Sequence, residues 1–353
     1  MDKIWWEKTD GARKFLAETI QILSGGRSVI LCLPKNLPWC DTMHEVLRRL
    51  LREKFTGTTR EVKSVDVGDN PRKYVMKNFC ENKSGFRPYG DEAYAEFLAE
   101  AAGTDISLNT TCLWIQNSES ETDDWFDFIE EYHKFLDDRR GGVFLLETSD
   151  NFNVRSSKGI EILSYDRKIS DYDNFAFHIL IASEFCREND LTKQYLAELV
   201  TQLVGNNVEL GAACVKHGNE FLKNPRKVFT EILNAENFSS TKTEEETDFA
   251  IWLTQLKLTF PLIEIFRRNL IKNYHAAISS ALPCNSGYGE RIEMPEQAEL
   301  GTLVHLVNLK QLWFNKSDWD ELTNYLSVRN RLAHLKTLPF DELQRIFDKN
   351  SSK

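Results

Sequence analysis

"SVILCLPKNLPWCDTMHEVLRRLLREKF", residues 28–55, is an apolar run, a loop and an amphipathic helix in succession. The run SVILCL does not alternate apolar with polar residues, so it fits a strand covered on both faces. Upstream, ARKFLAETIQIL (12–23) places Phe15, Leu16, Ile20 and Leu23 at helical spacing and closes on SGG. Downstream, further strand candidates are EVKSVDV (61–67), TCLWIQ (111–116), GVFLLET (142–148) and IEILSY (160–165). Helical patterns lie between them, notably DDWFDFIEEYHKFLDDRR (123–140). Buried strands alternating with helices predict an α/β domain with a largely parallel sheet over residues 1–175.

Beyond residue 175 the strand signal ends. DLTKQYLAELVTQLVG and NNVELGAACVKHGNEFLKN each read as one helix, and NPRKVFTEILN as a third with Asn224 as cap and Pro225 in its first turn. Residues 176–235 therefore form a helical lid or middle region. The polar, acidic stretch at 236–249 reads as a linker. The remainder, 250–353, is all-α, with a break or kink expected at Pro261 and a Gly/Pro-containing loop at 283–295. No internal repeat is present.

The 353 residues carry 41% hydrophobic and 28% charged residues, the balance of an ordinary globular protein. Runs of 18 apolar residues are absent and the opening MDKIWWEKTDGARKF has no apolar signal core, so a cytoplasmic protein without membrane spans is expected. Seven scattered cysteines with no C-x-x-C pair argue against zinc knuckles and disulfide frameworks. The net charge of −10 gives no overall footprint for nucleic acid. It is uneven, however: from Ile251 onward 13 basic residues face 11 acidic ones, a net of +2 against −12 for the rest.

The order helix, SVILCL, loop, helix resembles the opening of an AAA/STAND-type P-loop ATPase, with TCLWIQN in the position of the Walker B strand and GVFLLETSD as the next strand. The resemblance implies a P-loop, whose glycines let backbone N–H groups reach phosphates and whose lysine neutralises them. Here the loop LPKNLPWCDT has no glycine and no Lys-Ser/Thr pair, and Pro34 and Pro38 have no N–H to donate. LWIQN ends on amides where the family has an acid, and Lys35 is the one relic of the motif. The expectation is a degenerate, P-loop NTPase-like domain with no bound cofactor.

SVRNRLAHLKTLPFDELQRIF, from Ser327, holds Arg329, Asn330 and His334 ahead of Pro339. The bare pattern of arginine and histidine five to seven residues apart says little, since Arg268–His275 also fits it. The context resembles HEPN domains of bacterial defence and toxin proteins: an R-N-x-x-A-H helix end, then a proline-led final helix. PLIEIFRRNLIKNY is similar to the first long HEPN helix, and AELGTLVHLV and FNKSDWDELTNYL to the segments leading into the motif. An all-α helical bundle is thereby implied for residues 250–353. Implied too is metal-independent RNA cleavage, in which a ribose 2′-OH attacks the adjacent phosphate and leaves a 2′,3′-cyclic end.

The residue types suit that chemistry. His334 can move a proton near neutral pH, Arg329 offers a planar cation to a phosphorane, and Asn330 can orient either the histidine or a phosphate oxygen. On a helix Asn330 and His334 share a face, whereas Arg329 and His334 are about 140° apart. In the family, dimerisation brings two motifs to one cleft, so a homodimer through the carboxyl-terminal domain is expected. Glu264 and Arg268 read as a solvated i,i+4 ion pair, or, under the resemblance, as groups ordering the site. Leu322, Leu326, Leu332 and Leu335 are expected in the core. His275 and His305 have no partners at metal-ligand spacing, so no metal is expected. The expected partners are RNA, a second copy and a defence-system protein. The alternative is a non-catalytic HEPN-like adaptor that assembles a defence or ATPase complex.

Overall fold

The structure, a computed structural model, describes residues 1–351 apart from 57–60, 66–69, 88, 105, 117–121, 138, 150–156, 237, 239–241 and 286–288. It divides into two compact units, Met1–Phe177 and His178–Lys353.

In the first unit the run SVILCL is strand β1 (Ser28–Leu33). It pairs in parallel with β4 (Val143–Ser149) on one side and β5 (Ile160–Ser164) on the other. The sheet continues through β3 (Thr111–Ile115) to β2 (Glu61–Val65), giving the order β2-β3-β4-β1-β5 with every pairing parallel. Ile30 faces Leu146 across one ladder, and Ile115 faces the same leucine across the next. The central strands are buried along almost their whole length, which is why their sequences run apolar without alternation. Residues 66 and 67 of the expected second strand lie outside the described residues.

Helices α1 (Asp2–Lys8), α2 (Asp10–Ser24), α3 (Cys40–Phe55), α4 (Pro71–Phe79), α5 (Glu92–Glu100) and α6 (Thr122–Leu136) belong to the same unit. Trp125, Phe128 and Tyr132 of α6 pack with Phe144 of β4 in its core. Ser28 closes a buried polar knot: its Oγ accepts from the Phe144 N–H at 2.9 Å and meets Nε2 of His133 at 2.7 Å. Burial pushes the His133 imidazole down to about 4, so it stays neutral there.

Helix α7 (Asp171–Phe185) carries the division between the units. The second unit then contains α8 (Asp190–Val204), α9 (Val208–Lys216), α10 (Gly218–Lys223), α11 (Pro225–Ala235) and α12 (Glu244–Asn273). It ends with α13 (His275–Ser280), α14 (Leu300–Asn308), α15 (Lys316–Ala333) and α16 (Phe340–Ser351). Helix α8 packs on both α12 and α16, so the helices at 176–235 share a compact unit with those that follow.

Four local expectations change. The region 250–353, expected to be all-α, holds a short two-stranded antiparallel sheet, Cys284–Asn285 with Arg291–Ile292, inside the expected Gly/Pro-containing loop. The single helix expected at 206–224 divides at Gly218, whose φ of 45° leaves the right-handed region. Helix α12 begins at Glu244, inside the expected linker, because Thr243 and Glu246 form a reciprocal capping box. That helix also runs unbroken through Pro261, an exposed position where water can meet the carbonyl that proline leaves without a donor. Among the described residues α12 is the one helix long and apolar enough to cross a membrane by length and composition. It also packs against α8 and α15 and buries Thr254, Gln255 and Thr259.

Candidate functional site

The loop after β1 is shaped by aromatic packing. Trp39 takes a left-handed conformation with φ 43° and packs edge-on against Phe177 at 5.7 Å. The indole of Trp6 donates to the Pro38 carbonyl at 3.1 Å. Lys35 is exposed and makes no hydrogen bond or ion pair among the described residues. Asn117, read as the amide in place of a Walker B acid, lies outside the described residues.

One turn into α3 is a constellation that the sequence did not announce. His44 Nε2 sits 3.0 Å from the Glu147 carboxylate of β4, and the Trp114 indole of β3 donates to the same carboxylate at 2.7 Å. Glu147 is 6% exposed. Burial opposes a charge on His44, but the hydrogen bonds to Cys40 and Glu147 and the carboxylate's charge outweigh it and push the imidazole up to about 10. The raised pKa favours the imidazolium form of a half-buried His44 against the Glu147 carboxyl group. The available signal was Glu147 itself, an acid that directly follows the apolar residues VFLL in a strand candidate.

In the second unit, α15 carries Arg329 and Asn330 and ends at Ala333, leaving His334 as its C-cap. Asn315 caps the start of α15 by accepting from the Asp318 N–H at 2.8 Å. The helix lies antiparallel to α12 and is held at both ends. Tyr274 donates to Asp318 at 2.7 Å, and the Trp252 indole donates to the Leu332 carbonyl at 2.8 Å. Beyond the cap, Lys336 N–H bonds the Arg331 carbonyl at 3.0 Å and Leu335 N–H bonds that of Leu332 at 3.1 Å. These are the paired bonds of a Schellman ending, with Leu335 at φ 57° where glycine is usual. Arg331 ties the turn to α16 through Glu342 at 2.6 Å and to the Thr337 carbonyl at 3.0 Å.

Arg329 faces a cavity of about 340 Å³ whose charged lining is Glu264, Arg267, Glu296, Glu299 and Arg329. Its guanidinium lies 3.3 Å from Glu299 and 3.3 Å from the Asn330 side-chain oxygen. His334 is exposed, does not line that cavity, and makes no side-chain hydrogen bond or ion pair among the described residues. Within one chain, then, Arg329 and Glu264 share a cavity and His334 stands apart at the helix end.

The supporting residues pair otherwise than their spacing suggests. Glu264 bonds Arg267 at 2.9 Å rather than Arg268, and Arg268 lines a separate cavity of about 290 Å³ with Arg267, Lys272 and His275. His275 is exposed, 3.6 Å from Glu296, and His305 is exposed as well. Leu322 and Leu332 are in the core and Leu326 is half-buried. Leu335 is 68% exposed, because the Schellman turn carries it off the apolar face of α15. Among the described residues no three His, Cys, Asp or Glu side chains are grouped to hold a metal ion. No family model matches this chain, and no curated protein is similar to it.

Proposed function

We propose that the second unit is a HEPN-like bundle and that the protein is a metal-independent endoribonuclease whose site forms between two copies of the chain. The observation that carries this reading is an exposed His334, with no side-chain partner among the described residues, at the end of the helix that seats Arg329 against Glu299 in a cavity also lined by Glu264. His334 is the proton-transfer group and must meet the phosphate of a bound RNA. Arg329 supplies the cation for the phosphorane once a phosphate competes for it with Glu299. Asn330, 3.3 Å from that guanidinium, orients it. Exposed Leu335 beside His334 is apolar surface that a second copy can cover.

For the first unit, the reading is a degenerate P-loop-like scaffold that binds no nucleotide and regulates the second. A P-loop receives phosphate at the start of the helix after β1. Here the Glu147 carboxyl group lies beside the first turns of that helix, 3.0 Å from His44. The lack of glycine in the loop supports the same reading. An effector role in bacterial stress or anti-phage defence follows from the family resemblance.

A second reading, a non-catalytic adaptor, is favoured by the charge of the Arg329 cavity, where Glu264, Glu296 and Glu299 outnumber the two arginines. Subunit mixing discriminates between the two. If each dimer site draws on both chains, Arg329→Ala and His334→Ala proteins that are inert alone regain RNA cleavage when mixed and refolded together. No recovery, with wild type active, contradicts the shared site; an inert wild type that forms a stable complex favours the adaptor.

A further inference from the structure

Another cavity in the helical unit is unrelated to Arg329. It measures about 650 Å³, within the ~300–1,000 Å³ of small-molecule sites, and opens between α10, α11, α12 and the segment 337–340. Its lining is two-toned. Leu222, Ile251, Leu338 and Phe340 are buried apolar walls, with Tyr195 fully buried behind them. Lys223, Arg226 and Lys227 stand exposed at the rim, opposed within the lining by Glu231 alone. Lys227 is 3.6 Å from Glu231, and Arg226 pairs with Glu244 and with Asp248. Lys223 has no acidic partner among the described residues.

The deepest polar group is already satisfied. Gln255 is 2% exposed, accepts from the Leu338 N–H at 2.7 Å and donates to the Leu338 carbonyl at 3.0 Å. An occupant therefore needs no polar group at its inner end. It needs an apolar body there and negative charge at the mouth.

We propose that this cavity binds a small organic anion, an apolar or aromatic body carrying a sulfonate-, carboxylate- or phosphate-type group held by Lys223 and Lys227. The site has a mechanical consequence. Gln255 clamps the chain at Leu338, four residues beyond His334, so an occupant packed on Leu338 and Phe340 stiffens the segment that carries the histidine. The binding claim stands by itself; its meaning for RNA cleavage rests on the function proposed above.

The test uses the full-length protein and 8-anilinonaphthalene-1-sulfonate as probe. Single-site, saturable fluorescence is expected, weakened about tenfold by Lys223→Glu with Lys227→Glu and abolished by Thr230→Trp, which fills the mouth from an exposed position. The neutral N-phenyl-1-naphthylamine should not respond to the charge reversal. Bound probe should also slow amide exchange at residues 335–340. Absence of saturable binding, or binding indifferent to both variants, overturns the site. Binding without slower exchange overturns the mechanical link. Circular dichroism confirms that the variants fold, and a protein that binds probe but never cleaves RNA would sink the nuclease reading while leaving the cavity.

Discussion

Gly211 and Leu335 show how single residues set limits in the helical unit. A Cβ on Gly211 would collide with Nε2 of His178, which is completely buried. The ring is held by Nδ1, 2.8 Å from the Thr201 hydroxyl, and burial pushes its pKa down to about 3, so it is neutral. It can move aside only by giving up that hydrogen bond. Gly211→Ala should therefore lose ~1–3 kcal/mol, seen as a lower urea midpoint with an unchanged slope. Leu335 is the opposite case. Its side chain is exposed and its backbone left-handed, so Leu335→Gly removes strain without opening a cavity. That variant should be more stable by ~0.5–1 kcal/mol by the same measurement. A loss would mean that the leucine side chain makes contacts that outweigh its strain. Hydrophobicity alone assigned Leu335 to the core, since nothing in HLKTLP marks a non-glycine Schellman position.

Among the elements, β4 and α3 are linked by the Glu147–His44 contact. His44 is raised from its ordinary 6.5 to about 10 by folding. A base with a raised folded pKa contributes stability that is complete below about pH 6.5 and is lost as pH rises through about 10. Wild-type stability should fall as pH rises across that window. His44→Gln should be less stable at pH 7 and lack this component of the pH dependence. Parallel loss in both proteins would assign the decline to other groups. The helix-strand order of this unit was legible because the apolar runs VILCL, CLWI and VFLL are short and non-alternating and lie between loops and helical patterns. The strand order was not, since four crossover connections decide which run lies beside which. Nor was the His44–Glu147 pair, because its partners are 103 residues apart. Pro261 misled in the other direction: its exposed place on α12 lets the helix continue.

At the scale of the molecule, a unit with a parallel sheet precedes a mainly helical one, and that change was readable from the weakening of strand signal beyond residue 175, apart from the short ladder of Cys284–Asn285 with Arg291–Ile292. The local form of the candidate site was readable too. Spacing put Arg329 and His334 on different sides of α15, and the helix does end at the histidine. What spacing could not give was the setting of Arg329, because its partner Glu299 and the rest of its cavity's charged lining come from outside α15. The proposed chemistry needs no metal and depends on one proton-transfer group. The decisive measurement is cleavage of total cellular RNA by purified protein in EDTA, comparing wild type with His334→Ala. Activity in wild type that falls by about 10²–10⁴-fold in a folded His334→Ala protein is the predicted result. Equal cleavage by both proteins would contradict the assignment of catalysis to His334.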